Sequence, residues 1–360
     1  MNHIQTYEKL RIEPISIDAA VSRHRQYDSA VLTLTEADFD AAGFVFGDSC
    51  DAAFSNGYKI SDVPYLNGHY TKTGTPVICA YPNERYMTIS NTFSDFWTPA
   101  GLKDGMTVRI TLRTAGKYRR LYEALGHAYS IRREDFSSDA AFANFYPMTG
   151  GRLKNDFFYR GCSPVDNRRL RAACVDRLIA GIGIQCILDL ADSEEDIEMY
   201  IAERNFNSPY AEKLYETGRI AALHMGMDYN ADYFKRGVAE GVRHMLKVGG
   251  PVYIHCLEGK DRTGFVCMLL EALAGASYDE MCRSYMKTYE NYYGITQAGS
   301  PDRYENIVVQ YFDEFAGYLC GCAEREELRE ADYTAPARGY LHRCSIDAAE
   351  IDELERFLCG

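Results

Sequence analysis

The 360-residue sequence predicts an α/β protein. A mainly parallel sheet flanked by helices is preceded by a β-rich, barrel- or sandwich-like domain. Three observations carry this expectation. The length exceeds what one hydrophobic core comfortably serves. Residues 1–138 hold many short β-branched and aromatic runs separated by turn residues. Residues 139–360 alternate helix-period stretches with short apolar runs.

In the first part, "AVLTLT", "AGFVFG", "TPVICAYP", "RYMTIS" and "MTVRITL" read as strands. Asn56-Gly57, Asn67-Gly68 and Asp104-Gly105 supply turn chemistry between them. "ADFDAAGFVFGDS" is acidic but lacks the ligand pattern of a calcium loop, so a structural turn is expected there. This part holds no catalytic constellation, and an accessory role is expected for it.

In the second part, "RRLRAACVDRLIAGIG" has helical spacing and ends in glycines. "IQCILDLA" follows as a buried strand, and Ser193 caps the next helix. "RIAALHMGM" and "PVYIH" are further strands. The helix between them, "ADYFKRGVAEGVRHMLKVGG", carries Phe234, Val238, Val242, Met245 and Leu246 on one face. In such parallel sheets ligands bind beyond the carboxyl ends of the strands. Past residue 300 the chain reads as helical.

Composition narrows the function. A formal net charge of −13 argues against general affinity for nucleic acid or anionic membrane, while a local basic pocket could still bind an anion. The 12 cysteines are scattered, mostly within apolar runs, as expected of reduced thiols in a cytoplasmic protein. Cys320 and Cys322 complete no zinc-like set. No run is long enough for a transmembrane segment. The start shows no apolar leader, so secretion is expected only if one was removed.

The informative stretch is "PVYIHCLEGKDRTGFVCMLLEALAG", residues 251–275. Cys256 stands at the carboxyl end of a strand, and a helix begins a few residues later. A loop between strand and helix amino terminus turns backbone N–H groups toward one centre and makes an anion cradle. Leu257, Glu258, Gly259, Lys260 and Gly264 would line it, with Gly259 permitting the sharp turn. Arg262 offers a planar fork that matches two phosphate oxygens. The same field favours a thiolate at Cys256. His255 would brace the loop, and Thr263 could donate its hydroxyl to the sulfur. Together these residues suit phosphoryl transfer to cysteine followed by hydrolysis, which needs no metal and no cofactor.

The string His255-Cys256-x5-Arg262-Thr263-Gly264 resembles the signature of the protein tyrosine phosphatase superfamily. Its "GKDRTG" form resembles the bacterial tyrosine/serine phosphatase-like family, which includes enzymes acting on phosphoinositides. Upstream, "FANFYPMTGGRLKNDFFYRGCSPVDN" is similar to that family's entry segment. There Arg160 fits a substrate-binding arginine, Tyr146 stands where an Arg is usual, and Gly161 where a Ser often follows. The resemblance covers roughly residues 140–310. It implies a cysteine-phosphatase domain with phosphorylated protein as substrate, phosphotyrosine above all. Inositol phosphates or phosphoinositides are the alternative, and a catalytically silent phosphate-binding module is the reading from another class. The family's general acid is an Asp on a loop ahead of the cysteine strand; Asp228 is the first choice here. Asp261, within the loop, is the rival. Asp232 is the second choice but is expected to cap or begin its helix, Asp192 is expected to act as a cap, and Glu258 reads as an anion that would repel crowded substrates.

Overall fold

The computed structural model describes residues 15–360 and divides into two units, Met1–Ala128 and Tyr129–Gly360. In the first, seven strands close a barrel: β1 (Ser16–Arg23), β2 (Ala30–Leu32), β3 (Ser49–Phe54), β4 (Lys59–Leu66), β5 (Pro76–Cys79), β6 (Thr88–Asn91) and β7 (Thr107–Thr114). Their order is β1-β2-β6-β5-β4-β3-β7. Closure leaves no open edge, and the interior is filled by side chains such as Leu32, Phe39, Val63, Ile78, Ile89 and Ile110. Asn56-Gly57 turns β3 into β4: Gly57 has φ 91°, and Asn56 Oδ1 accepts from Tyr58 N at 3.0 Å.

One expected strand is absent. "AGFVFG" is the end of the helix Glu36–Ala42 and the turn after it. Thr35 and Asp38 form a capping box that starts the helix, and Gly43 ends it in a left-handed conformation. Local capping overrides the β-rich composition there.

The second unit has a five-stranded sheet built from β8 (Tyr146–Pro147), β9 (Phe158–Gly161), β10 (Cys186–Asp189), β11 (Ile220–Ala222) and β12 (Val252–His255). The order is β11-β10-β12-β9-β8; the first four run parallel, and β8 is antiparallel to β9. Helices Ala172–Ile182, Asp232–Val248 and Asp261–Leu273 connect or follow the parallel strands. Gly161 and Asp189 both pair with His255. The loops after β9, β10 and β12 therefore leave the sheet level with one another, at its carboxyl edge.

The helix Asp261–Leu273 is buried from Arg262 onward. Phe265 within it packs on Tyr229, Phe234, Phe315 and Tyr340. This all-round burial explains a segment that is apolar without a polar face. Among the described residues no helix is long and apolar enough to cross a membrane.

Candidate active site

Cys256 follows the last residue of β12 and is 4% exposed. The loop that it opens is held from behind by its carbonyls. Leu257 O accepts from Ser163 N at 3.2 Å. Glu258 O accepts from Tyr292 Oη at 2.7 Å and from Asn144 Nδ2 at 3.2 Å. Gly259 O accepts from Arg160 Nη2 at 3.0 Å and from Asn144 Nδ2 at 3.3 Å. Each peptide is trans and planar, so fixing these carbonyls turns the following N–H groups to the opposite side. A nest of backbone donors results, next to a helix amino terminus.

Gly259 makes the turn with φ 68°, and a Cβ there would stand 2.2 Å from the Gly161 carbonyl oxygen. Gly161 is equally constrained: its Cβ would stand 2.6 Å from Tyr253 Oη, which donates to Cys162 O. A Ser at 161 would not fit without moving Tyr253.

Arg262 is buried and donates from Nη1 to Met225 O at 2.8 Å. Met225 lies on the segment after β11 that also carries Asp228. Asp228 Oδ1 accepts from Asn230 N at 2.9 Å, closing a turn just before the helix Asp232–Val248. Asp261 is the first residue of its helix, with its carboxylate 3.8 Å from Lys260 Nζ. Burial raises its pKa above the ordinary aspartate value.

His255 is fully buried, and burial pushes its pKa down to about 4. Its Nδ1 lies 3.3 Å from Cys256 O, and its Nε2 lies 3.8 Å from Asp189 Oδ2. Thr263 is fully buried, and its hydroxyl makes no hydrogen bond among the described residues.

Four sequence-derived assignments change. Arg160 does not line a substrate pocket: it is 1% exposed, bonded to the Gly259 carbonyl and placed over the Tyr146 ring. Gly264 offers no N–H to an anion, because that N–H donates to Lys260 O at 2.8 Å as part of the helix. Its close neighbour is the Tyr285 ring, 2.7 Å from where a Cβ would be. The Glu258 carboxylate does not confront substrate either. It accepts from Tyr129 Oη and, at 3.3 Å, from Arg169 Nε, a buried pair that neutralises it. Tyr129 belongs to the second unit, so the segment from 129 to 138 goes with this site.

The sequence suggests Asp192 as a cap, but Ser193 caps the helix Glu194–Ile201 with a capping box. Asp192 is instead buried beside Asp189. Burial pushes Asp189 up to about 6, and burial together with the neighbouring Asp189 and Asp166 raises Asp192 well above the ordinary aspartate value. Residues that sequence reasoning missed are Asn144, Tyr129, Arg169 and Tyr292. Asn144 had a signal in the entry segment, and Tyr292 lies in the tyrosine-rich stretch "YMKTYENYYGI", which reads as packing ahead of a pocket lining. The others act through tertiary contacts that no local spacing announces.

Residues 143–359 match the model of a tyrosine phosphatase family. Over 200 residues the chain is 24% identical to the triple specificity protein phosphatase PtpB of Mycobacterium tuberculosis, covering 48% of this chain and 71% of the relative. An uncharacterized conserved protein from Thermotoga maritima aligns in structure at 14% identity and a TM-score of 0.23. That alignment covers 27% of this chain and 38% of the other. With the family match spanning the sheet, the cysteine loop and the helices after it, the chain belongs to the tyrosine phosphatase family and is a phosphatase.

Proposed function

We propose that this phosphatase hydrolyses phosphotyrosine in proteins through a cysteinyl-phosphate intermediate. The supporting observation is the loop from Cys256 to Arg262, whose carbonyls are tied back by Asn144, Arg160 and Tyr292. Substrate phosphate sits among the N–H groups of this loop and the Arg262 fork. Cys256 Sγ attacks phosphorus, and the bond from phosphorus to the leaving oxygen breaks. Asp261 gives that oxygen its proton. Water then attacks the cysteinyl phosphate and passes a proton to Asp261, while the Sγ–P bond breaks. Thr263 donates its hydroxyl to the departing sulfur. His255, neutral at working pH, braces the loop through the Cys256 carbonyl.

Asp261 is preferred to Asp228 as the acid for two reasons. Burial lets it keep a proton to higher pH. The Asp228 carboxylate already serves the Asn230 turn. Phosphotyrosine is preferred to inositol phosphates because the chain is acidic overall, with a formal net charge of −13 that disfavours a polyanionic substrate. The barrel unit is proposed as an accessory domain.

A substrate panel tests this reading. kcat/KM for a phosphotyrosine peptide should exceed that for a phosphoserine peptide and for inositol phosphates. A reversed order would replace the substrate while leaving the chemistry.

A further inference from the structure

Eight non-glycine residues among those described have a left-handed backbone; of these, Asn144 (φ 49°) bonds the cysteine loop, Leu170 (φ 57°) lies on the loop after β9, and His224 (φ 40°) lies on the segment after β11. Asn tolerates this region, and Asn144 has its side-chain bonds to Glu258 and Gly259. His224 is also of a tolerated type. Leu170 has no such excuse. A bulky apolar residue in this conformation is a genuine outlier, and outliers of this kind gather at functional sites.

The surroundings explain the backbone but not the side chain. Leu170 N donates to Asn167 O at 2.9 Å, closing a turn. On one side Arg169 reaches into the protein to Glu258. On the other, the Arg171 guanidinium lies 4.6 Å from the ring centroids of both Tyr129 and Tyr292. Those two tyrosines donate to the Glu258 carboxylate and carbonyl. Both neighbours of Leu170 are thus anchored around Glu258, and the chain must turn left-handed between them. Gly, Asn or Asp would make that turn more comfortably. Leu170 instead keeps a strained backbone and a side chain that is 58% exposed, in a loop that leaves the sheet level with the cysteine loop.

We propose that Leu170 is a substrate-contacting specificity residue at the rim of the site, where its side chain packs against the aromatic ring of an aryl phosphate. The assignment rests on the phosphotyrosine reading above. Substrate burial supplies the apolar contact that the free enzyme lacks.

Leu170→Gly and Leu170→Asn test it, with a phosphotyrosine peptide and glycerol phosphate as paired substrates. Both variants should melt no lower than wild type, because each relieves the left-handed strain. KM for the phosphotyrosine peptide should rise about tenfold, as loss of a packed leucine side chain implies. kcat for that peptide, and both constants for glycerol phosphate, should stay put. Unchanged KM, equal KM increases for the two substrates, or a lower melting temperature in both variants would each overturn the assignment. A wild-type enzyme that turns over glycerol phosphate but not the peptide would sink the phosphotyrosine reading and the Leu170 assignment together.

Discussion

Gly259 lies against Gly161 so closely that a Cβ on Gly259 would stand 2.2 Å from the Gly161 carbonyl oxygen. The contact joins the loop after β12 to the end of β9, two neighbours in the sheet. It fixes how far the cradle is drawn back onto the sheet. Gly259→Ala adds left-handed strain of roughly 1 kcal/mol and a backbone clash that no side-chain rotation relieves. The variant should lose at least about a hundredfold in kcat/KM, a loss in line with misplaced catalytic groups. It should also melt lower. Steady-state kinetics and a thermal melt check both, and near-wild-type kinetics would mean that the loop is not held by this contact.

Glu271 offers a pH test of the buried layer beneath the loop. It is 1% exposed and accepts from Ser284 Oγ at 2.6 Å. Burial pushes its pKa up from 4.5 to about 8. Between those values the folded chain holds a proton that the unfolded chain releases, so this group's stabilisation is full below 4.5 and declines as pH rises toward 8. Glu271→Gln removes the titration and keeps an oxygen for Ser284. The melting temperature of the variant minus that of wild type should therefore widen from pH 5 to pH 8, by about 5–10 °C for roughly 3 kcal/mol. A constant difference would show that Glu271 ionises normally in the fold.

The two candidate acids separate by leaving group. A phenol with a pKa of about 10 needs a proton as it departs; an activated nitrophenol needs far less help. Asp261→Asn should depress kcat/KM strongly with a phosphotyrosine peptide and distinctly less with nitrophenyl phosphate. Asp228→Asn should affect the two alike, through the turn that it closes with Asn230. If the leaving-group dependence follows Asp228 alone, the acid lies on the segment after β11.

Much of the local frame of the cysteine loop could be read from the chain, because strand, loop and helix are consecutive. Strand, Cys256, Gly259, Arg262 and helix follow one another within one short stretch, and backbone geometry does the rest. The alternation around Ile187, Tyr253 and Phe265 likewise announced a parallel sheet with covering helices. β9 was harder: it carries Arg160 in mid-strand, which looks like an exposed position. That burial is sustained by the Gly259 carbonyl and the Tyr146 ring, partners distant in sequence. The neutralisation of Glu258 by Arg169 and Tyr129 was hidden for the same reason. In the barrel, the capping box of Thr35 and Asp38 was present in the sequence, yet the aromatic run after it read as a strand.

The central claim is that Cys256 carries the phosphoryl group. Its most direct test is phosphate release from an aryl phosphate by Cys256→Ser, alongside tungstate binding to the same variant. The cradle is made of backbone donors and Arg262, so tungstate affinity should remain close to wild type. Serine is a far weaker nucleophile near neutral pH, so turnover should fall to background. Turnover near the wild-type rate, with the fold intact, would contradict the assignment of Cys256 as nucleophile.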